Sequence, residues 1–89
     1  MAFVTSSRPS VTTAASLLVA ADSDGCRVWI HNPNATACII GGSDVTATTG
    51  LGLDSAAGPT EFILPPLAEL WGIVAVTTIT VQLLVIGNR

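Results

Sequence analysis

The sequence predicts an all-β fold: a small antiparallel β-sandwich or barrel, jelly-roll-like, with an extended N-terminal arm at 1–10 and a single β domain at 11–89. Three observations predict it. Short apolar stretches alternate with polar residues at period two, as in Cys26–Asn32 (CRVWIHN) and Thr60–Leu64 (TEFIL), the period of a half-buried strand. Gly, Pro and Asn turn signals separate these stretches, and no segment has the spacing of an amphipathic helix. The longest uncharged run, Leu70–Asn88 (LWGIVAVTTITVQLLVIGN), is long enough for a membrane span. Its many β-branched residues nevertheless suit a pleated strand better than a helix.

Taken in order, Met1–Ser10 has no periodicity and ends in an Arg-Pro-Ser turn signal. Pro9 lacks an amide hydrogen and biases Arg8 away from helix. An extended arm that becomes ordered on a neighbour, anchored by Phe3 and Val4, is the expectation. Ala15–Ala21 is a short strand or single turn closed by Asp22-Ser23-Asp24-Gly25. In the next strand Cys26, Val28 and Ile30 face the core, while Arg27, Trp29 and His31 face away. Pro33-Asn34 is expected to turn the chain so that Thr36–Ile40 returns as the second arm of a hairpin ending at Gly41-Gly42. From Ser43 to Pro59 the chain reads as a long loop with short strand fragments, anchored by Val45, Leu51 and Leu53. In Thr60–Leu64, Phe62 and Leu64 point inward and Glu61 stays wet. The uncharged run splits at Thr77-Thr78 into a closing hairpin whose last strand turns Val81, Leu83 and Val85 inward and Gln82, Leu84 and Ile86 outward.

Composition narrows the functions. Of 89 residues 49% are hydrophobic and 10% charged, whereas a domain of this size buries only about 60–65% of the surface its unfolded chain exposes. The surplus apolar side chain points to an oligomer or to docking on a larger body. There is no Lys, only Arg8, Arg27 and Arg89 against six carboxylates, for a net charge of −3. Nucleic-acid binding, which draws its affinity from cations displacing counterions at phosphates, is excluded as an expectation.

The chemical motifs are thin. Asp22-Ser23-Asp24-Gly25 opens like a calcium loop, but Cys26 stands where the third ligand belongs. Gly50-Leu51-Gly52 lacks the third glycine of a dinucleotide loop. His31 is the sole histidine and sits in no nucleophile motif, so no catalytic residue, metal or cofactor is assigned. Asn34-Ala35-Thr36 matches a glycosylation acceptor by three residues only. Cys26 and Cys38 are too few for a disulfide framework; a bridge between neighbouring strands is one reading and buried free thiols the simpler one. Val11–Ala21 ends like a signal-peptide cleavage site but is interrupted by Thr12, Thr13 and Ser16, so an uncleaved, intracellularly made protein is expected. Trp29 and Trp71 fit either the core or the centre of an interface.

Ser16–Ala21, Cys26–Asn32, the string Gly41-Gly42-Ser43-Asp44-Val45-Thr46 with the preceding Ile40, and Gly50–Leu53 together resemble small structural proteins of tailed-bacteriophage virions. The resemblance covers most of Ser16–Gly87 and implies a capsid decoration or cement protein with a β-sandwich fold, usually a symmetric oligomer such as a trimer. It also implies the major capsid protein as partner, the outer capsid surface as location and manufacture in the host cytoplasm. Arg27 and Asn32 would bound a strand, Gly41 and Gly42 would end the next, and Asp44 and Thr46 would shape a turn.

Candidate interface residues are accordingly Phe3, Val4 and Arg8 on the arm, the two tryptophans, and Leu84 with Ile86. The alternatives are a tail or head-fibre binding module using a tryptophan as platform, and a small membrane-active protein spanning the bilayer with 70–88. A Leu84→Glu substitution is expected to break assembly while leaving a β circular dichroism spectrum; an unfolded chain would show that the strand phase is wrong.

Overall fold

The computed structural model describes residues 2–54 and 58–88, with the side chains of Ala2, Phe3 and Asn88 outside the description. The described residues form ten antiparallel strands: β1 (Ala2–Ser7), β2 (Ser10–Val11), β3 (Ser16–Val19), β4 (Cys26–His31), β5 (Cys38–Gly41), β6 (Leu51–Leu53), β7 (Thr60–Leu64), β8 (Leu70–Ile73), β9 (Ile79–Thr80) and β10 (Gln82–Asn88). They pair in a nested order, β1 with β10, β2 with β9, β3 with β8, β4 with β7 and β5 with β6. The chain is thus one long antiparallel ribbon doubled back in the loop between β5 and β6.

Winding that ribbon brings β10 beside β4 and β8 beside β5. The result is two four-stranded sheets, β1-β10-β4-β7 and β3-β8-β5-β6, with the short β2-β9 pair between them. This is a jelly-roll sandwich, in which doubling the ribbon leaves few edges open. Among the described residues no helix is long and apolar enough to cross a membrane. Residues 70–88 form strands, which overturns the helical span considered for them.

Alternation places the core where period two put it. Val28, Ile30 and Leu83 from the first sheet meet Val19, Cys38, Ile40, Leu53 and Leu70 from the second, and Val11, Val74, Ile79 and Val81 close the gap between them. Cys26, Phe62, Leu64 and Val85 pack on this cluster. Gly72 belongs to the same layer. A Cβ there would lie 2.8 Å from Leu18 Cδ1, so the absent side chain is what lets Leu18 and Val11 close over β8.

Four expectations are corrected. Thr36–Ile40 does not return as a hairpin on β4, because β4 and β5 lie in opposite sheets. Asn32 is the reason: its side chain is 1% exposed and works as a buried corner post. Its Nδ2 donates to the carbonyls of Thr36 (2.8 Å) and of Leu53 in the second sheet (2.9 Å), and its Oδ1 accepts from the Asn34 amide (3.0 Å). Asn34 Nδ2 donates in turn to Asn32 Oδ1 and to the Thr80 carbonyl (2.8 Å). These bonds tie the connection after β4 to β6 of the second sheet and to β9.

The run 70–88 likewise forms no hairpin. β8 lies in the second sheet and β10 in the first, with Val74 N–H donating to the Thr12 carbonyl and Val81 N–H to that of Pro9 on the way across. Both halves of the run pair with the N-terminal segment, β8 with β3 and β10 with β1. Residues 2–7, expected to await a neighbour, are an extended strand laid along β10 in unbroken register from Ala2↔Asn88 to Ser7↔Leu83. Leu51 is 56% exposed and anchors nothing, unlike Val45 and Leu53 at 6% each.

Two turns show the local chemistry. Gly25 has φ +74°, its N–H donates to the Asp22 carbonyl at 3.1 Å, and Asp24 N–H donates to Asp22 Oδ1 at 2.9 Å. A side chain at Gly25 would sit 2.6 Å from the Leu64 carbonyl oxygen, so the turn needs glycine for space as well as for φ. The Gly41–Thr46 string closes on Val45 N–H to Gly42 C=O at 3.0 Å, and Thr49 Oγ1 receives the Thr46 N–H.

Replacing Asn32 with Ala leaves the Leu53 carbonyl and Asn34 without their buried partner. The expected loss is about 2–4 kcal/mol of unfolding free energy, measured as a lowered urea midpoint with an unchanged slope.

Candidate functional site

The described side chains gather no catalytic constellation. Cys26 and His31 sit at opposite ends of β4 and on opposite faces of it, and Cys38 is fully buried. No group of three His, Cys, Asp or Glu among the described residues is placed to hold a metal ion. The side-chain amide nitrogen of Asn34, the glycosylation candidate, is engaged in two hydrogen bonds.

What the fold does build is two outer faces with apolar side chains. On the first sheet, register aligns Val4, Ile86, Arg27 and Ile63 in one row across all four strands, and Ser6, Leu84, Trp29 and Glu61 in the next. Opposed residues of an antiparallel sheet project from the same face, so both rows point away from the core. Val4 is 67% exposed, Ile63 72% and Trp29 38%, while Leu84 and Ile86 on the central strand β10 are half-buried by these neighbours. Beside Trp29 lies a shallow depression of about 320 Å³ whose wall includes Ser6, His31, Pro59, Gln82 and Leu84. His31 Nδ1 is buried there with no hydrogen-bond partner.

Two charged side chains in these rows pair with each other. Arg27 Nε lies 3.0 Å from Glu61 Oε2, a diagonal pair between β4 and β7. Exposed as it is, such a pair contributes about 0–1 kcal/mol to folding.

On the second sheet the outward rows are Leu17, Trp71 and Gly41, then Ile73, Ile39 and Gly52. Trp71 is half-buried and donates from Nε1 to Glu69 Oε1 at 3.3 Å. The structure therefore brings together Val4, Trp29, Leu84 and Ile86 from the sequence-derived set and puts Trp71 on the opposite side of the molecule. Arg8 is exposed beyond the end of β1, and Phe3 pairs through its backbone with Gly87 while its side chain lies outside the description.

Ile63 was missing from that set although the alternation of Thr60–Leu64, with Phe62 and Leu64 inward, already turned it outward. Leu67 carried no signal at all. It is 70% exposed, has φ +67°, and its N–H donates to the Asp22 carbonyl at 2.8 Å, so the Pro65-Pro66 turn is held in a conformation a branched side chain seldom adopts.

Compared with known proteins, the chain matches no family model, no curated protein and no solved structure.

Both cysteines are free thiols. Burial pushes Cys38 up from 9.0 to about 11, and Cys26 is raised first by burial and then by the nearby Asp22 carboxylate. A thiol held neutral by the fold contributes stability that is complete below its unfolded-state value and lost as pH rises through the folded one. The chain has neither Lys nor Tyr, so the thiols are the side chains that titrate in that window. The urea midpoint is expected to fall between pH 9 and about 11, and Cys38→Val should remove most of that slope.

Proposed function

We propose that this chain is a non-enzymatic virion structural protein, a capsid decoration or cement protein that sits as an oligomer on the outer surface of a tailed-phage head and stabilises the shell. Its partners on this reading are the major capsid protein and further copies of itself. The observation that carries the proposal is apolar side chain on both outer faces of a two-sheet sandwich, more than a free-standing domain of this size needs to leave outside. The Gly41–Thr46 string and its flanking strands supply the link to virions, and jelly rolls recur in capsid and lectin domains, which is support by analogy of fold alone.

A second reading, a tail or head-fibre module that binds a host-surface glycan, draws on the depression beside Trp29, where an indole adjoins the polar side chains of Ser6, His31 and Gln82.

Purified protein added to heads lacking it is expected to co-sediment at a saturating, regular stoichiometry and to raise the temperature at which the heads release DNA. Attachment confined to tail tips or fibres would favour the second reading, and absence of co-sedimentation would remove the first.

A further inference from the structure

We infer that β1 is a replaceable strand, and that its place along β10 accepts an extended segment of a partner chain with large aliphatic side chains where β1 has Thr5 and Ser7. The inference goes beyond the proposed function and stands whether or not the chain coats a phage head.

Register gives these two residues their direction. Thr5 lies opposite Val85 and Ser7 opposite Leu83, and Val85 and Leu83 are on the core side of β10, so positions 5 and 7 point between the sheets. Both are nevertheless exposed, as are Val4 and Ser6. Beneath them, between β1 and β3, runs an open groove of about 240 Å³ whose wall includes Leu18, Val19, Cys26, Val85 and Asp22. The core stops short at this end of the sandwich. On β10, Val81 is 0% and Leu83 4% exposed but Val85 is only half-buried; on β4, Val28 and Ile30 are fully buried but Cys26 is not. Two small polar side chains over an apolar wall leave that wall wet. At positions 4–7, β1 is therefore held by its backbone ladder with β10, and as an edge strand it belongs to the low end of local stability.

Groove and ladder together specify the occupant. The edge of β10 that β1 covers pairs in unbroken register from Asn88 to Leu83, which suits an extended backbone. Main-chain pairing along a sheet edge, with pockets for alternate side chains, is how a foreign strand is added. Here the space lies under two positions separated by one residue, and its apolar wall favours aliphatic side chains at both, while Asp22 disfavours a carboxylate. The β1 of a second copy would place the same Thr and Ser over the groove and gain nothing by the exchange, so the occupant has a different sequence. Pro9 sets the point of release. Its carbonyl accepts from Val81 N–H, and Val11 beyond it is fully buried, so residues 2–8 can leave while β2 stays in place.

Fluorescence anisotropy with the full chain and labelled synthetic peptides of residues 2–8 tests the assignment. The peptide carrying Thr5→Ile and Ser7→Ile is expected to bind saturably, one to one, and at least about tenfold more tightly than the unsubstituted peptide, because it buries aliphatic surface in the groove. Its binding should speed hydrogen exchange at residues 2–7 of the chain while the amides of β10 stay protected, since one strand has replaced another. A peptide with Thr5→Glu and Ser7→Glu should not bind. The full chain carrying Thr5→Ile and Ser7→Ile in its own β1 should unfold at a higher urea midpoint and take up the isoleucine peptide at least about tenfold more weakly. Failure of the isoleucine peptide to bind overturns the inference. So does equal binding of the glutamate peptide, or binding that leaves exchange at residues 2–7 unchanged, which would place the peptide elsewhere on the molecule.

Discussion

The jelly roll depends on one buried side chain, the carboxamide of Asn32. A doubled ribbon of strands has to cross from one sheet to the other at almost every connection, and each crossing exposes backbone carbonyls to an apolar interior where they need partners. Asn32 meets that need at one corner for three separated parts of the chain. It takes the Thr36 and Leu53 carbonyls directly and, through Asn34, the Thr80 carbonyl at the far end of the ribbon. Because an amide has two donors and an acceptor in one plane, it can hold strand exits that no aliphatic residue could, and with its bonds complete it tolerates burial that would otherwise be costly.

A thin core follows from that architecture. The chain spans 39 × 24 × 17 Å, which leaves room for one layer of side chains between sheets. That layer is filled mostly by Val, Ile and Leu, with Cys38 and the gap over Gly72 fitting the narrower places. A single layer cannot absorb all the apolar residues of a chain this hydrophobic, so the excess is displayed on the outside of both sheets. Surplus apolar surface is thus a geometric result of a short chain in a two-sheet fold, and the assembly proposed for this protein makes use of it.

The two faces differ in what accompanies that surface. The first combines continuous register with the Arg27–Glu61 ion pair, and the second combines Trp71, Leu17, Ile39 and Ile73 with an irregular register between Leu17 and Val19. Much of this was legible in advance: the outward phase of Trp29, Leu84 and Ile86 follows from counting by twos. That Trp71 belongs to the other side was not legible, because alternation assigns a face within a strand and says nothing about which sheet the strand joins.

The same limit separates what sequence alone determined from what tertiary structure decided. Sequence determined the all-β class, the strands at 26–31 and 60–64 and the inward sets Cys26/Val28/Ile30, Phe62/Leu64 and Val81/Leu83/Val85, because side-chain direction in a strand is a local property of the backbone. Tertiary structure decided the partners. Two neighbouring pairs of strands that read as hairpins, β4 with β5 and β8 with β10, are split between sheets, and the N-terminal residues join β10 from the opposite end of the chain. Pairing is settled by contacts distant in sequence, the Asn32 corner and the carbonyls of Pro9 and Thr12 among them, and these no window of neighbouring residues contains.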